Sequence, residues 1–177
     1  MRVLGFGDNG TMSSRSFDDA NAFHRMMRTF AATKVGAGFL RRTAHHLDRL
    51  ITKLTGGRSS FAGIATGVPA VVLTTTGAKS REPRTVALYG IPHPDGVGLI
   101  ASNFGGPKHP AWYYNLKANP EATVSIGRDT WHATARLATP RERDEIWAKG
   151  IEIYPGWRKY ETRAGNRQIE AFILSRK

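Results

Sequence analysis

Apolar residues recur along this chain with two periods, and the change falls near residue 60. Leu40, Ala44, Leu47, Ile51 and Leu54 are spaced by four, three, four and three, a single stripe along one side of a helix. Arg41, Arg42, Arg49 and Lys53 lie off the stripe, and Gly56-Gly57 ends it. A shorter helical stretch comes first. Ser16 caps it, Asp18 and Asp19 suit the positive end of its dipole, and Phe23, Met26, Met27 and Phe30 are its apolar residues. The glycines and serines of the first fifteen residues have the composition of a loose terminus.

Beyond residue 60 the pattern is that of strands. Ala70-Val71-Val72-Leu73-Thr74-Thr75-Thr76 is rich in β-branched residues and follows Gly67 and Pro69, which predicts a buried strand. Residues 85–91 and 97–102 predict two more, separated by Pro92-His93-Pro94-Asp95-Gly96. Pro110 opens a short helix that Asn119-Pro120 stops. Residues 122–126 and 130–137 read as a hairpin around Gly127-Arg128-Asp129. Thr139-Pro140-Arg141-Glu142 starts a helix that reaches about Ile153, and residues 169–174 are a last strand. Six short strands with inserted helices argue against a doubly wound parallel sheet and for a small antiparallel barrel in the α+β class. The division expected is a helical extension over residues 1–60 and a barrel domain over residues 61–177.

Composition narrows the chemistry. The chain has 177 residues and no cysteine, which excludes disulfide scaffolds, cysteine nucleophiles, zinc fingers and iron–sulfur ligation. No apolar run approaches the ~20 residues that span a bilayer, and the N-terminus lacks a signal core, so the expected location is the cytoplasm. The formal charge is +12. Residues 1–60 hold ten basic and four acidic residues, and residues 61–177 hold sixteen and ten, so the excess is no tail. A field of that sign favours an anionic partner: nucleic acid, acidic lipid or a polyanionic cofactor. Basic residues and aromatics do not interleave on one recognisable nucleic-acid module, so nucleic acid is not the expected partner.

No G-x-G-x-x-G, P-loop, HExxH or EF-hand loop occurs. His93, His109 and His132 are scattered without carboxylates at ligand spacing, so no metal site is expected. Three constellations remain. Thr75-Thr76-Gly77-Ala78-Lys79-Ser80-Arg81-Glu82-Pro83-Arg84 sets hydroxyls, a tight turn and cations at a strand end, which reads either as an anion nest or as a polar hairpin loop. Ser102-Asn103-Phe104-Gly105-Gly106 leads through Pro110 into Ala111-Trp112-Tyr113-Tyr114-Asn115, where a flat ligand could meet backbone, or the aromatics simply pack the helix on the barrel. Tyr154, Trp157 and Tyr160, three apart, form either an aromatic wall over a planar ligand or a satellite core.

Taken in this order, the three stretches resemble the deazaflavin-dependent nitroreductase family, which binds coenzyme F420. The most specific runs are Val72-Leu73-Thr74-Thr75-Thr76-Gly77-Ala78-Lys79-Ser80, Ala101-Ser102-Asn103 with Gly105-Gly106, Pro110 through Trp112 to Pro120, and Tyr154-Pro155. The resemblance implies a six-stranded split β-barrel of the flavin-reductase type. It implies that Thr76, Lys79, Ser80 and Arg84 carry the coenzyme's phosphate and polyglutamate tail. The deazaflavin ring would lie near Ala101, Ser102, Asn103, Gly105, Gly106, Pro110, Ala111 and Trp112. Tyr89, Tyr154, Trp157 and Tyr160 would wall the substrate pocket. Ser102, Tyr89, Tyr154 and Tyr160 would be the catalytic donors to the oxygen on which charge develops. Ala78, Arg81 and Trp157 depart from the family's usual residues.

The expected reaction is hydride transfer from the reduced coenzyme to a small-molecule electron acceptor: a quinone, enone or nitroaromatic. A flavin mononucleotide reader on the same barrel, or a non-catalytic carrier of coenzyme F420, are the alternatives. The basic helix at residues 39–54 either caps the barrel or contacts acidic membrane or another subunit, and the oligomeric state stays open.

Overall fold

The computed structural model describes residues 70–177, together with Met26, Thr29 and Thr33. The helical extension read over residues 1–60, including the basic stripe at 39–54 and any membrane or subunit contact through it, lies outside the described residues. The described chain runs β1 (Ala70–Thr76), β2 (Pro83–His93), β3 (Gly96–Ile100), a 3-10 turn (Asn103–Gly105), α1 (Ala111–Ala118), β4 (Glu121–Ile126), β5 (Asp129–Leu137), α2 (Pro140–Ile153), α3 (Trp157–Ala164) and β6 (Ala171–Arg176). The strands close into an antiparallel barrel in the order β1-β2-β3-β6-β5-β4. Among the described residues no helix is long and apolar enough to cross a membrane.

Alternation along each strand sorts side chains into two buried layers. Val71, Leu73, Val97, Leu99, Val124, Ala133, Ala135, Phe172 and Leu174 fill the barrel, and Trp112 and Leu116 of α1 join them. Ile91, Ile100 and Ile173 face the other way, onto Ile146 and Ile153 of α2, Tyr154 just after it, and Trp157 and Tyr160 of α3. β6 is therefore buried on both faces, which is why it reads as an unbroken apolar run. Strand β2 runs past the expected residues 85–91 because it serves two neighbours. Residues 83–89 pair with β1, and residues 90–93 pair with β3. Helix α2 starts as the sequence indicates: Thr139 accepts from the Glu142 N–H, and the Glu142 carboxylate accepts from the Thr139 N–H at 2.8 Å.

Candidate functional site

The β1–β2 connection is a tight turn tied down from outside. Gly77 N–H donates to the Glu82 carbonyl at 2.8 Å, and Arg81 N–H donates to the Gly77 carbonyl at 2.9 Å. A Cβ on Gly77 would come within 2.5 Å of Ser80 Oγ and 3.2 Å of the Glu82 carbonyl, so a larger residue there would have to turn the Ser80 hydroxyl aside. Arg81 adopts a left-handed conformation at φ 60°. The anchor is Asn115, buried on α1. Its Nδ2 donates to Thr75 Oγ1 at 3.0 Å, and its Oδ1 accepts from the Ala78 N–H at 3.0 Å. Lys79, Ser80 and Arg81 are left exposed. Among the described residues the Lys79 and Ser80 N–H groups have no acceptor, so two backbone donors, an ammonium and a hydroxyl share one surface. Arg84 points its guanidinium to Glu82 at 3.0 Å, an exposed pair of little strength. Thr76 sits half-buried at the strand end.

The second part is the loop of residues 101–106. Asn103 at φ 47° and Phe104 at φ 54° are consecutive non-glycine residues in the left-handed region, a strained pair of the kind concentrated at functional sites. Asn103 Nδ2 donates to the Lys108 carbonyl at 2.8 Å. Gly105, at φ 74°, is required for a different reason from the one its sequence suggests. Its missing side chain makes room for α3, since a Cβ would lie 2.7 Å from the Tyr160 carbonyl. Gly106 and Ala101 are buried, and Ser102, Pro110 and His109 are half-buried. Arg167 underlies all of this. Its Nε donates to the Gly106 carbonyl at 2.9 Å, its Nη2 to the Ser102 carbonyl at 2.7 Å, and its Nη1 to the Ala101 carbonyl at 3.2 Å. Nη1 also lies 3.4 Å from His109 Nδ1. Burial first, and then the Arg167 charge, hold the His109 pKa below its ordinary value.

Helix α1 bridges the two parts. Its Asn115 reaches the basic turn, while His109, stacked on Tyr113 at 4.0 Å between centroids, reaches Arg167. Ala111 is exposed at its start. Trp112 points into the barrel, edge-on to Phe172 at 6.0 Å.

The third part is aromatic. Tyr89 lies 6.0 Å from both Tyr154 and Trp157, and the Tyr154 and Tyr160 hydroxyls hydrogen-bond at 2.9 Å. Trp157, Tyr154 and Tyr160 are buried, and Tyr89 is the partly exposed member of the group. Phe104 of the strained loop meets Tyr160 edge-on at 5.8 Å. Burial pushes both the Tyr154 and Tyr160 hydroxyls far above the ordinary range, so both remain protonated.

Phe104 and Asn115, which the sequence offers only as members of a run with no role of their own, and Arg167, which it does not mark at all, are brought into these clusters by the fold. Asn115 had a signal: with Trp112 and Leu116 it occupies the buried side of α1, and a lone amide there needs specific partners. Arg167 had none, because its partners lie 58 to 66 residues away. The structure also corrects the view that His93 lacks carboxylate neighbours. His93, Asp95 and Glu142 converge, with ligand atoms within 4.8 Å of one another. Arg136 already pairs with both carboxylates, at 3.0 Å and 2.7 Å, and so supplies the positive charge there.

The model of the F420H(2)-dependent quinone reductase family matches residues 45–176. An F420H(2)-dependent quinone reductase of Mycobacterium tuberculosis (strain ATCC 25618 / H37Rv) is 34% identical over 112 residues, which cover 62% of this chain and 74% of that one. Among solved structures, an F420-H2 dependent reductase is 40% identical, with a TM-score of 0.56, covering 60% of this chain and 94% of its own. A second, described as a domain-swapped dimer, is 36% identical with a TM-score of 0.57, covering 72% of this chain and 96% of its own. The donor set fits such a coenzyme, since exposed cations and open backbone N–H groups suit an acidic tail. With its barrel, basic turn and strained loop, this chain belongs to the F420H(2)-dependent quinone reductase family and is an oxidoreductase whose cofactor is coenzyme F420.

Proposed function

We propose that the protein reduces quinones, and with them enones and nitroaromatics, at a site laid along α1. The reading is carried by one observation: a basic turn with open N–H donors and a strained, arginine-backed loop are joined through the same eight-residue helix. The bound reduced coenzyme supplies a hydride. Lys79, Ser80 and Arg84, with Thr76 at the strand end, hold its phosphate and glutamates, and Arg84 exchanges its exposed Glu82 partner for them. Ala101, Ser102, Asn103, Gly105 and Gly106, with Pro110, Ala111 and Trp112, form the seat for the ring. Trp112 acts there through its place in the core, by fixing where α1 begins. Tyr89, Tyr154, Trp157 and Tyr160 wall the acceptor's side and keep water out.

Negative charge develops on the acceptor's oxygen, and donors fixed beforehand stabilise it. Ser102 is the first of these, because its hydroxyl has no internal partner among the described residues. Tyr89, on the partly exposed side of the aromatic group, is the second. Tyr154 and Tyr160 act as neutral hydroxyls, holding each other and the wall. One such donor is worth about 2.7–4 kcal/mol of barrier. The test mixes the protein with reduced coenzyme and menadione, an enone and a nitroaromatic, and follows the return of oxidised-coenzyme absorbance. Turnover is expected with menadione, and Ser102→Ala lowers it by roughly a hundredfold. Tight binding with no turnover across the panel makes the protein a carrier. No binding by fluorescence and no turnover overturns the reading.

A further inference from the structure

Arg167 belongs to no catalytic or binding group assigned above, yet its guanidinium makes four contacts with the loop of residues 101–109. Three backbone carbonyls and a histidine nitrogen converge on one half-buried guanidinium. Among the described residues no carboxylate pairs with it. An arginine partly withdrawn from water normally recruits a counter-ion, and here backbone carbonyls take that place. The consequence for the loop follows from peptide geometry. A planar trans peptide points its C=O and N–H in opposite directions. With the Ser102 carbonyl drawn onto Nη2 at 2.7 Å, alongside the Gly105 N–H of the turn at 2.9 Å, the Asn103 N–H of the same peptide must point away from Arg167. That N–H has no acceptor among the described residues. Asn103 and Phe104 hold left-handed conformations to keep the loop in this shape.

We propose that Arg167 is a positioning residue for the coenzyme: by drawing in the Ala101, Ser102 and Gly106 carbonyls it aims the Asn103 N–H outward, as a donor to a carbonyl or ring-nitrogen acceptor of the deazaflavin. Its uncompensated charge sits directly behind the same loop and favours an electron-rich ring above it. The inference rests on the reading that the ring lies on this loop and the acidic tail on the basic turn.

The experiment separates ring from tail. Two ligands are titrated by fluorescence: full coenzyme F420, and 8-hydroxy-5-deazariboflavin, which has the ring and no phosphate or glutamate. Arg167→Gln weakens both by the same factor, roughly tenfold or more. Arg167→Lys, which keeps the charge without the planar fork, falls between, again equally for both. Lys79→Ala weakens only the tailed ligand. In wild type the Asn103 amide resonance shifts when the ring ligand is added, and in Arg167→Gln that shift is lost. A purely structural arginine would lower the melting temperature while folded protein kept its affinity and its amide shift. If Arg167→Gln does not fold, Arg167→Lys carries the same comparison. The proposal is overturned if the folded variant binds the ring ligand like wild type, or loses affinity only for the tailed one. Wild-type protein that binds neither ligand overturns the reading beneath it, and the proposal with it.

Discussion

Asn115 occupies a position where the stripe of α1 would take leucine, and its amide instead ties a strand to a turn. Asn115→Leu leaves the half-buried Ala78 N–H without its acceptor and removes the amide donor from the Thr75 hydroxyl, which keeps its own bond to the Arg84 carbonyl, at a cost of about 1–3 kcal/mol. Denaturant unfolding checks this. A midpoint equal to wild type would mean that the bridge is dispensable. Asn115→Asp keeps an acceptor for Ala78 and loses the donor to Thr75, so it falls between. His109 gives a prediction in pH. Its folded pKa lies below 6.5, so between that value and 6.5 the unfolded chain binds a proton that the folded chain refuses. Stability from this source is intact above about pH 6.5 and declines as pH falls through the lowered value. Burial is the largest cause of the shift; of the charges around it, Arg167 and Lys117 lower the pKa and Glu170 raises it. In His109→Gln this part of the decline is absent, which urea midpoints at several pH values would reveal. Asn115 and His109 could both be seen in the sequence as residues, but the partners that give them meaning lie on other elements.

At the level of elements, local chemistry was legible and pairing was not. Thr139, Pro140 and Glu142 mark the start of α2 in the sequence, and the structure shows the full reciprocal cap. The last strand illustrates the opposite case. Ile169 is buried, and apolar pattern alone draws the strand over residues 169–174, but β6 spans Ala171–Arg176. Burial and ladder pairing are different requirements. Ile169 packs beneath α2 and α3, while Ser175 and Arg176, polar and unremarkable in sequence, pair with Thr134 and Ala133 of β5. The cap of α2 extends into a network that no local pattern carries, because Arg136 of β5 also grips Glu142. That pairing, followed by the Thr139 backbone, holds the Glu142 carboxyl well below the usual carboxylate range. A depressed carboxylate stabilises the fold above its unfolded pKa, near 4.5, and the contribution is lost as pH falls below that. Glu142→Gln should therefore melt lower than wild type at pH 7, with the gap closing towards pH 3. A gap that persists in acid would assign the difference to packing instead of charge.

Across the whole molecule, the sequence's adjacent strand pairs indicate a barrel, whereas its closure depends on β6 entering between β3 and β5. That insertion buries β6 on both faces, carries α2 and α3 onto the outer layer, and brings Arg167 beneath a loop more than sixty residues earlier. The charge acts on the same scale. A chain of +12 with an open, cation-bearing turn attracts an acidic tail from a distance, whereas the ring is held by short contacts on the loop. These two components respond differently to salt. Between about 0.01 M and 1 M the screening length falls from about 30 Å to about 3 Å, which removes long-range attraction and leaves contacts in place. The Michaelis constant for tailed coenzyme F420 should rise roughly tenfold or more across that range, and that for 8-hydroxy-5-deazariboflavin should stay nearly flat. Lys79→Ala should start from weaker binding and show a shallower salt dependence. Equal salt dependence for the two ligands would place the attraction somewhere other than the acidic tail, and would leave the exposed cations at residues 79–84 without the role given to them.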